Sequence, residues 1–247
     1  MRNMKKKYIA MAVALCAAVG AHAGILFQDD FSGVSTNGLN GTTPDVTQAG
    51  ATWVASDAVF KADGSIVDSS NKGAWLAYAF EANKTYTLSA DIISSAAADW
   101  IGFGFAQSVN AAGRHTEASV QGRAWLLTSE AGQQVFVGPR ATNKVYDNEI
   151  ITDTTSAFST YTLTLDTTDA SDVLLSVNMG GTTVVDEESM GAFADLNPGS
   201  FGFSTDAGSA GTIDNLSLSV IPEPATLGMV AAFGGGILFV RRLFMMG

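Results

Sequence analysis

Carboxylates are the side chains whose type and spacing could support chemistry in this sequence, and the chemistry they first suggest is calcium binding. Asp29 and Asp30 stand near the beginning of the chain, and Asp214 and Asn215 stand near its end. Calcium takes about six to eight oxygen ligands, and a β-fold that pairs its first and last strands would bring these four residues together. The sequence therefore offers these four residues as a candidate calcium site, with no certain cofactor, and a solvated acidic surface is the alternative.

A second acidic group lies in one turn, where Asp166, Asp169 and Asp172 follow one another at intervals of three. This turn lacks the Asp-x-Asp-x-Asp-Gly pattern of an EF-hand loop, which positions successive ligands around the ion. We therefore predict a solvated turn.

Nucleophiles and metal-binding nitrogen or sulfur ligands are scarce. If an N-terminal peptide is removed, as argued below, Cys16 and His22 leave with it and His115 is the one histidine that remains. A zinc site with ordinary ligands and a Cys–His nucleophile pair are then excluded. His115 stands in a polar stretch, 113–117, and is predicted to be an ordinary loop residue.

Carboxylates also fail to form the pair that a glycosidase needs. Glu187 and Glu188 are adjacent and would point to opposite faces of a strand. Asp147, Glu149 and Asp153 are predicted to lie in a polar loop. The sequence therefore predicts a protein that is not an enzyme, and a secreted hydrolase acting on glycans is the alternative.

Four tryptophans are candidates for stacking on sugar rings. Trp75 and Trp125 stand inside apolar runs, which favours a place in the core. Trp100 follows an aspartate where a loop is predicted to enter a strand, so it is the residue that we predict to bind a ligand.

The elements that must position these residues are β-strands, because apolar residues alternate with polar ones through most of the body. On one segment the apolar side chains Tyr86, Leu88, Ala90 and Ile92 share a face, and similar alternation recurs at 161–165 and 173–179. Gly180-Gly181 predicts a two-residue hairpin between two such strands. About a dozen short strands without an apolar helical stripe predict an all-β fold, a single β-sandwich or jelly roll over residues 24–219.

Several segments of this body resemble concanavalin-like and laminin-G-like jelly rolls. They are Asp29-Asp30-Phe31-Ser32-Gly33, the run from Leu39 to Asp45 with Trp53 after it, Ser176-Val177-Asn178 before a glycine turn, and the closing strand 213–218. The resemblance implies a two-sheet fold whose relatives often bind or cleave glycans.

The first 23 residues have the pattern of a signal peptide. Arg2 and Lys5 to Lys7 precede an apolar stretch, Tyr8 to Val19, and Ala21-His22-Ala23 forms an A-x-A cleavage site before Gly24. Cleavage removes four of the 13 basic residues and none of the 24 acidic ones, so nine basic residues remain and the net charge becomes −15. A chain this acidic is not expected to bind nucleic acid.

The last residues predict a membrane segment with a recognition motif in front of it. Pro222-Glu223-Pro224 precedes the uncharged stretch 225–240, which Arg241 and Arg242 follow. The transmembrane segment is predicted to cover 225–244, and the arginines favour a cytoplasmic end.

Together these features resemble the PEP-CTERM sorting signal, here residues 220–247. The resemblance implies that exosortase, a membrane transpeptidase of bacteria that make extracellular polysaccharide, recognises Pro222, Glu223 and Pro224. An ordinary tail anchor behind a proline-rich linker is the alternative. The sequence as a whole predicts an exported protein, first held in the inner membrane and then sorted to the cell surface or extracellular matrix, whose body is structural, adhesive or carbohydrate-binding.

Overall fold

The computed structural model describes residues 23–48, 50–67, 71–94, 100–129, 132–138, 143–148, 159–206 and 210–222. Ala21, Glu223, Pro224, Arg241, Arg242 and the predicted span 225–244 lie outside these residues. Gly24 to Val220 forms one compact unit. Within the described ranges, no helix is long and apolar enough to cross a membrane.

Almost all regular structure in the described ranges is β-strand, interrupted by one four-residue helix, α1 (Phe193–Leu196). The strands are β1 Gly24–Asp29, β2 Val54–Ala55, β3 Ser65–Ile66, β4 Lys72–Ala77, β5 Lys84–Ser94, β6 Ile101–Ala106, β7 Gly122–Ser129, β8 Gly132–Val137, β9 Asn143–Asn148, β10 Ser159–Asp166, β11 Leu174–Met179, β12 Thr182–Ser189, β13 Ser200–Thr205 and β14 Gly211–Pro222.

These strands form two antiparallel sheets. The first sheet has the order β1-β14-β5-β10-β11-β12, with β3 also paired to β14, and the second has the order β2-β4-β13-β6-β7-β8-β9. The first and last strands are neighbours, with Gly24 opposite Val220 and Asp29 opposite Leu216. The predicted all-β sandwich is confirmed.

The core lies between the two sheets and is built by the alternation that the sequence displays. On β5, Tyr86, Leu88, Ala90 and Ile92 are buried while the residues between them are partly exposed. Contacts between the sheets include Phe27 of β1 against Phe201 of β13, with ring centroids 5.2 Å apart. Each large apolar side chain buried in this way contributes roughly 1.5–3 kcal/mol, so the aromatic layer supplies much of the stability of a fold without a disulfide.

The hairpin predicted at Gly180-Gly181 is confirmed, and it joins β11 to β12. Both glycines have positive φ angles, 58° and 87°, which a type I′ turn requires at both central residues. An alanine at either position would be strained.

Two strands, the two-residue β3 and the edge strand β9, were not predicted. Asp147 lies on β9, at the edge of the second sheet, rather than in a loop. The sequence of β9 carries polar residues at most positions, because an edge strand buries little side-chain area, and so the alternation that marks the other strands is weak here.

Candidate functional site

The second sheet has an outer face, turned away from the core, that a long loop partly covers. This loop, residues 107–121, connects β6 to β7, and backbone hydrogen bonds join its two ends to each other and its middle to the sheet. Gln107 N donates to Gln121 O at 3.0 Å, and Gly122 N donates to His115 O at 2.7 Å. A further bond, from Gly73 N to Ala111 O at 3.2 Å, links the loop to β4.

Aromatic rings form a continuous stack under this loop. His115 is stacked on Trp125 at 4.8 Å with an interplanar angle of 9°, and it meets the edge of Trp75 at 4.6 Å. Trp125 in turn stacks on Phe136 at 4.8 Å. Trp75 and Trp125 are buried as predicted, but they lie on the outer face of the sheet and the loop covers them there.

Glycines on the sheet make room for this stack. A Cβ added to Gly102 would lie 2.7 Å from Ser204 Oγ and 3.0 Å from His115 Nδ1, and one added to Gly104 would lie 2.3 Å from Ala124 O. Side chains at either position would displace the imidazole or force β6 and β7 apart. Phenylalanine and glycine therefore alternate on β6 so that the phenylalanine side chains enter the core, while the glycines leave space for His115 and Trp125 on the outer face.

The prediction that His115 is an ordinary loop residue is wrong. The residue belongs to the loop, but its side chain is completely buried, and Nδ1 lies 2.7 Å from Ser204 Oγ. Burial lowers the pKa of His115 to about 3, against a smaller opposing effect of the Gly104 backbone. The imidazole is therefore neutral at physiological pH and serves to hold the loop on the sheet.

A cleft of about 490 Å³ lies between this loop and the rest of the outer face. Arg114 and Thr116 contribute to its lining from the loop, and Leu127 and Gln134 contribute from β7 and β8. Trp100, which the sequence singled out as a ligand-binding residue, is partly exposed and lines the cleft beside β6. The remaining lining residues are His115, Trp125, Ser204, Thr205 and Asp206.

The charged groups of the cleft form an ion pair. Arg114 Nη1 lies 2.8 Å from Asp206 Oδ1, and Arg114 Nε lies 3.8 Å from Glu117 Oε1. A partly exposed pair adds only about 0–1 kcal/mol to stability, but it fixes a donor and an acceptor in the cleft. Sequence reasoning did not select Arg114 or Asp206 because they are far apart in the chain and belong to no motif.

A second cleft, of about 460 Å³, opens where β4 and β6 end and β13 begins. Its described lining includes Tyr78, Phe80, Gln107 and Asn197 but no charged residue.

The acidic residues predicted to bind calcium are only partly brought together. Asp29, Asp30 and Asp45 each place a carboxylate oxygen within 4.8 Å of the others, a group that could hold a metal ion. Asp214 and Asn215 do not belong to this group. Asn215 Nδ2 donates to Asp91 Oδ2 of β5 at 2.9 Å. Strand β14 lies between β1 and β5, so this bond directs Asn215 away from β1.

The surroundings of Asp29 orient its carboxylate. Oδ2 accepts a hydrogen bond from Trp53 Nε1 at 2.7 Å, and Oδ1 accepts one from Phe31 N at 2.9 Å. Burial raises the pKa of Asp29, an effect that these two bonds oppose and that the charges of Asp45 and Asp30 reinforce. A bound cation would offset both the burial and the repulsion.

In the acidic turn, Asp169 Oδ1 accepts hydrogen bonds from Ser171 N at 2.8 Å and Ser171 Oγ at 2.6 Å. Asp166, Asp169 and Asp172 are not gathered into a metal-compatible group among the described residues. This arrangement fits the solvated turn that the sequence predicted.

No protein-family model and no curated protein matches the chain. Among solved structures, the metal-free carbohydrate recognition domain of Emp46p is similar at 16% identity, with a TM-score of 0.50, over 75% of this chain and 96% of that one. A lectin from Bauhinia forficata in complex with GalNAc aligns at 12% identity and a TM-score of 0.47, over 82% and 100% of the two chains. The alginate lyase Aly36B aligns at 11% identity and a TM-score of 0.44, over 79% and 97%.

At this level of identity the likeness to the Emp46p domain concerns the fold alone. The sandwich is therefore lectin-like in architecture.

Proposed function

We propose that this protein binds carbohydrate, without transforming it, in the cleft between the 107–121 loop and the outer face of the second sheet. The observation that carries the proposal is the place of Trp100, a partly exposed indole that lines the same cleft as the ion pair of Arg114 and Asp206. The Emp46p domain, whose fold this chain shares, is itself a carbohydrate recognition domain.

Sugar rings need two kinds of contact, and the cleft offers both. Their C–H faces pack on aromatic rings, which Trp100 provides, and their hydroxyl groups need fixed donors and acceptors. Arg114 supplies N–H donors, Asp206 supplies carboxylate acceptors, and the pair holds both in a constant orientation. Rigid polar groups around an aromatic platform favour recognition of a ring with several hydroxyl groups.

The rival function is hydrolysis of a glycan, which usually requires two carboxyl groups on opposite sides of the scissile bond. In the described lining of the cleft, Asp206 is the one carboxylate, and it is paired with Arg114. His115 is neutral and its ring is buried between Trp75 and Trp125, where it is unsuited to exchange protons with a ligand. These observations favour binding over catalysis.

A glycan-array screen of the compact unit, residues 24–220, tests this proposal. We expect binding to one class of oligosaccharide and no change in the chain length of that oligosaccharide on prolonged incubation. Appearance of shorter or unsaturated products would support the rival function, and failure to retain any glycan would refute both.

The terminal segments support a proposal about where the protein acts. We propose that it is exported, processed by exosortase at the 222–224 motif, and delivered to the cell surface or the polysaccharide matrix. The signal-peptide pattern ending at Ala23 and the ordered succession of Pro222-Glu223-Pro224, apolar stretch and Arg241-Arg242 support this proposal.

In a host with exosortase, we expect mature protein that begins at Gly24 and is released from the inner membrane. Replacing residues 222–224 with alanines should block release and leave the protein in the membrane fraction, because the apolar segment is unchanged. N-terminal sequencing and fractionation measure both effects. Release that the alanine variant leaves unchanged would contradict recognition of the 222–224 motif. Retention of the unaltered protein in the membrane would favour a plain tail anchor, and a purely cytoplasmic pool would contradict export altogether.

The acidic group Asp29, Asp30 and Asp45 is proposed to bind calcium. Extracellular modules bind calcium with a Kd of roughly 0.1–1 mM, so about 5 mM calcium should stabilise the fold by about 1–2 kcal/mol by mass action. Asp30→Ala and Asp45→Ala should abolish the rise in Tm, whereas Asp214→Ala should not. An equal rise with magnesium at the same ionic strength would rule the site out.

The pH dependence of this effect follows from the raised pKa of Asp29. Without a cation, ionised Asp29 costs stability in neutral solution. That cost disappears as the pH falls through the pKa that Asp29 has in the folded protein. It is fully absent below 3.8, the pKa of an aspartate in the unfolded chain. The calcium effect should therefore shrink on acidification through the same interval, because protonation and calcium compete for the carboxylate.

A further inference from the structure

The cationic group of the cleft is already neutralised by neighbouring acids. Arg114 is the one cationic residue in the described lining, because His115 is neutral, and Arg114 is held by Asp206 at 2.8 Å and approached by Glu117 at 3.8 Å. Two carboxylates therefore surround one guanidinium, on a chain whose net charge is −11. The local balance is negative even though an arginine lines the cleft.

We infer that the cleft selects neutral sugars against uronates, and that Asp206 is the residue that determines this selectivity. The inference rests on the proposed function and adds the class of ligand. An arginine without a partner would pair with the carboxylate of a uronate through two parallel hydrogen bonds. Asp206 occupies that guanidinium and adds repulsion against a second carboxylate.

A neutral hexose meets no such repulsion. Its hydroxyl groups can donate to Asp206 and accept from Arg114 at the same time, so the ion pair serves as a combined donor and acceptor. The hydroxymethyl group of a hexose and the carboxylate of the matching uronate differ only at C6, and this difference is what the cleft discriminates.

The test compares matched ligands on the 24–220 unit by calorimetry. The probes are oligosaccharides of mannose, glucose and galactose, and the corresponding oligomannuronates, oligoglucuronates and oligogalacturonates. The wild-type unit should bind at least one neutral probe, and at least tenfold more tightly than its uronate. Asp206→Asn keeps the size of the side chain and releases Arg114, so it should reduce that preference at least tenfold.

Asp195→Asn is the matched control, because Asp195 is exposed on α1 outside the lining of the cleft and its replacement changes the net charge equally. It should leave the preference unchanged. As a second measurement on the wild-type unit, raising the salt concentration from about 0.02 to 0.5 M should weaken the discrimination, since repulsion between partly exposed charges is screened.

Each outcome bears on a different statement. Tighter binding of a uronate by the wild-type unit would overturn the inference and leave carbohydrate binding in place. If the Asp206→Asn variant prefers the neutral sugar as strongly as the Asp195→Asn control does, then Asp206 does not determine the selectivity. Failure of all six probe classes to bind would overturn the inference. If the glycan array also showed no bound glycan, the proposed function would be refuted as well.

Discussion

Replacing Leu88 with aspartate is expected to prevent folding of the body or to cost several kcal/mol of stability. The side chain is completely buried on β5, opposite Leu163 of β10, within the core between the sheets. An ionised carboxylate there has no partner, and it either remains uncharged at a raised pKa or forces water into the core. Losses above about 4 kcal/mol mark this kind of defect.

The matched control is Thr87→Asp, one residue away. Thr87 is partly exposed on the outer face of the first sheet, opposite Thr164, so the same carboxylate stays in contact with water. We expect a change within about 1 kcal/mol. Urea denaturation followed by circular dichroism measures both variants, and equal losses at the two positions would contradict the assignment of the two faces.

Replacing Trp100 with alanine is expected to lower the affinity for the glycan at least tenfold, which is about 1.4 kcal/mol. The indole is the partly exposed aromatic platform of the proposed site, and aromatic anchors of this kind often carry 2 kcal/mol or more of the binding free energy, an order-of-magnitude expectation of about thirtyfold. Because the ring is outside the sandwich core, the melting temperature should change little. Calorimetric titration and thermal melts of the same preparations separate the two effects.

Two further variants separate a loss of glycan binding at Trp100 from a loss of folding and from binding at the second cleft. Trp125→Ala should destabilise the unit by about 3–5 kcal/mol, because Trp125 is 2% exposed and holds His115 and Phe136 in the stack. Asn197→Gly removes a side chain from the second cleft while keeping the left-handed conformation at its φ of 40°. If Asn197→Gly weakens binding and Trp100→Ala does not, the ligand occupies the second cleft.

The fold could be predicted because its signals are local. Alternation at 85–92, 161–165 and 173–179 assigns each strand an inner and an outer face, and Gly180-Gly181 requires a turn whatever the rest of the chain does. A short-range pattern of this kind is a property of neighbouring residues, so it survives without knowledge of the topology. The edge strand β9 was missed because it buries too little to show the pattern.

The predictions for the terminal segments likewise rest on sequence alone, since the signal-peptide and sorting-signal patterns that they resemble are defined by order and composition. Trp100 was also selected from sequence, as an aromatic residue at the junction of a loop and a strand. Its neighbours were not, because Arg114 and Asp206 meet only after the 107–121 loop has folded across the second sheet.

Tertiary structure alone decided which carboxylates lie close together and that the side chain of His115 is buried. Asp29 has Asp30 and Asp45 as companions, while β14 carries Asn215 toward Asp91. A polar loop normally leaves its histidine in water, but Gly102 and Gly104 open a slot in which His115 is stacked and its charge is lost. Such contacts join residues distant in the chain, and their geometry follows from strand order and loop path, which composition and periodicity do not contain.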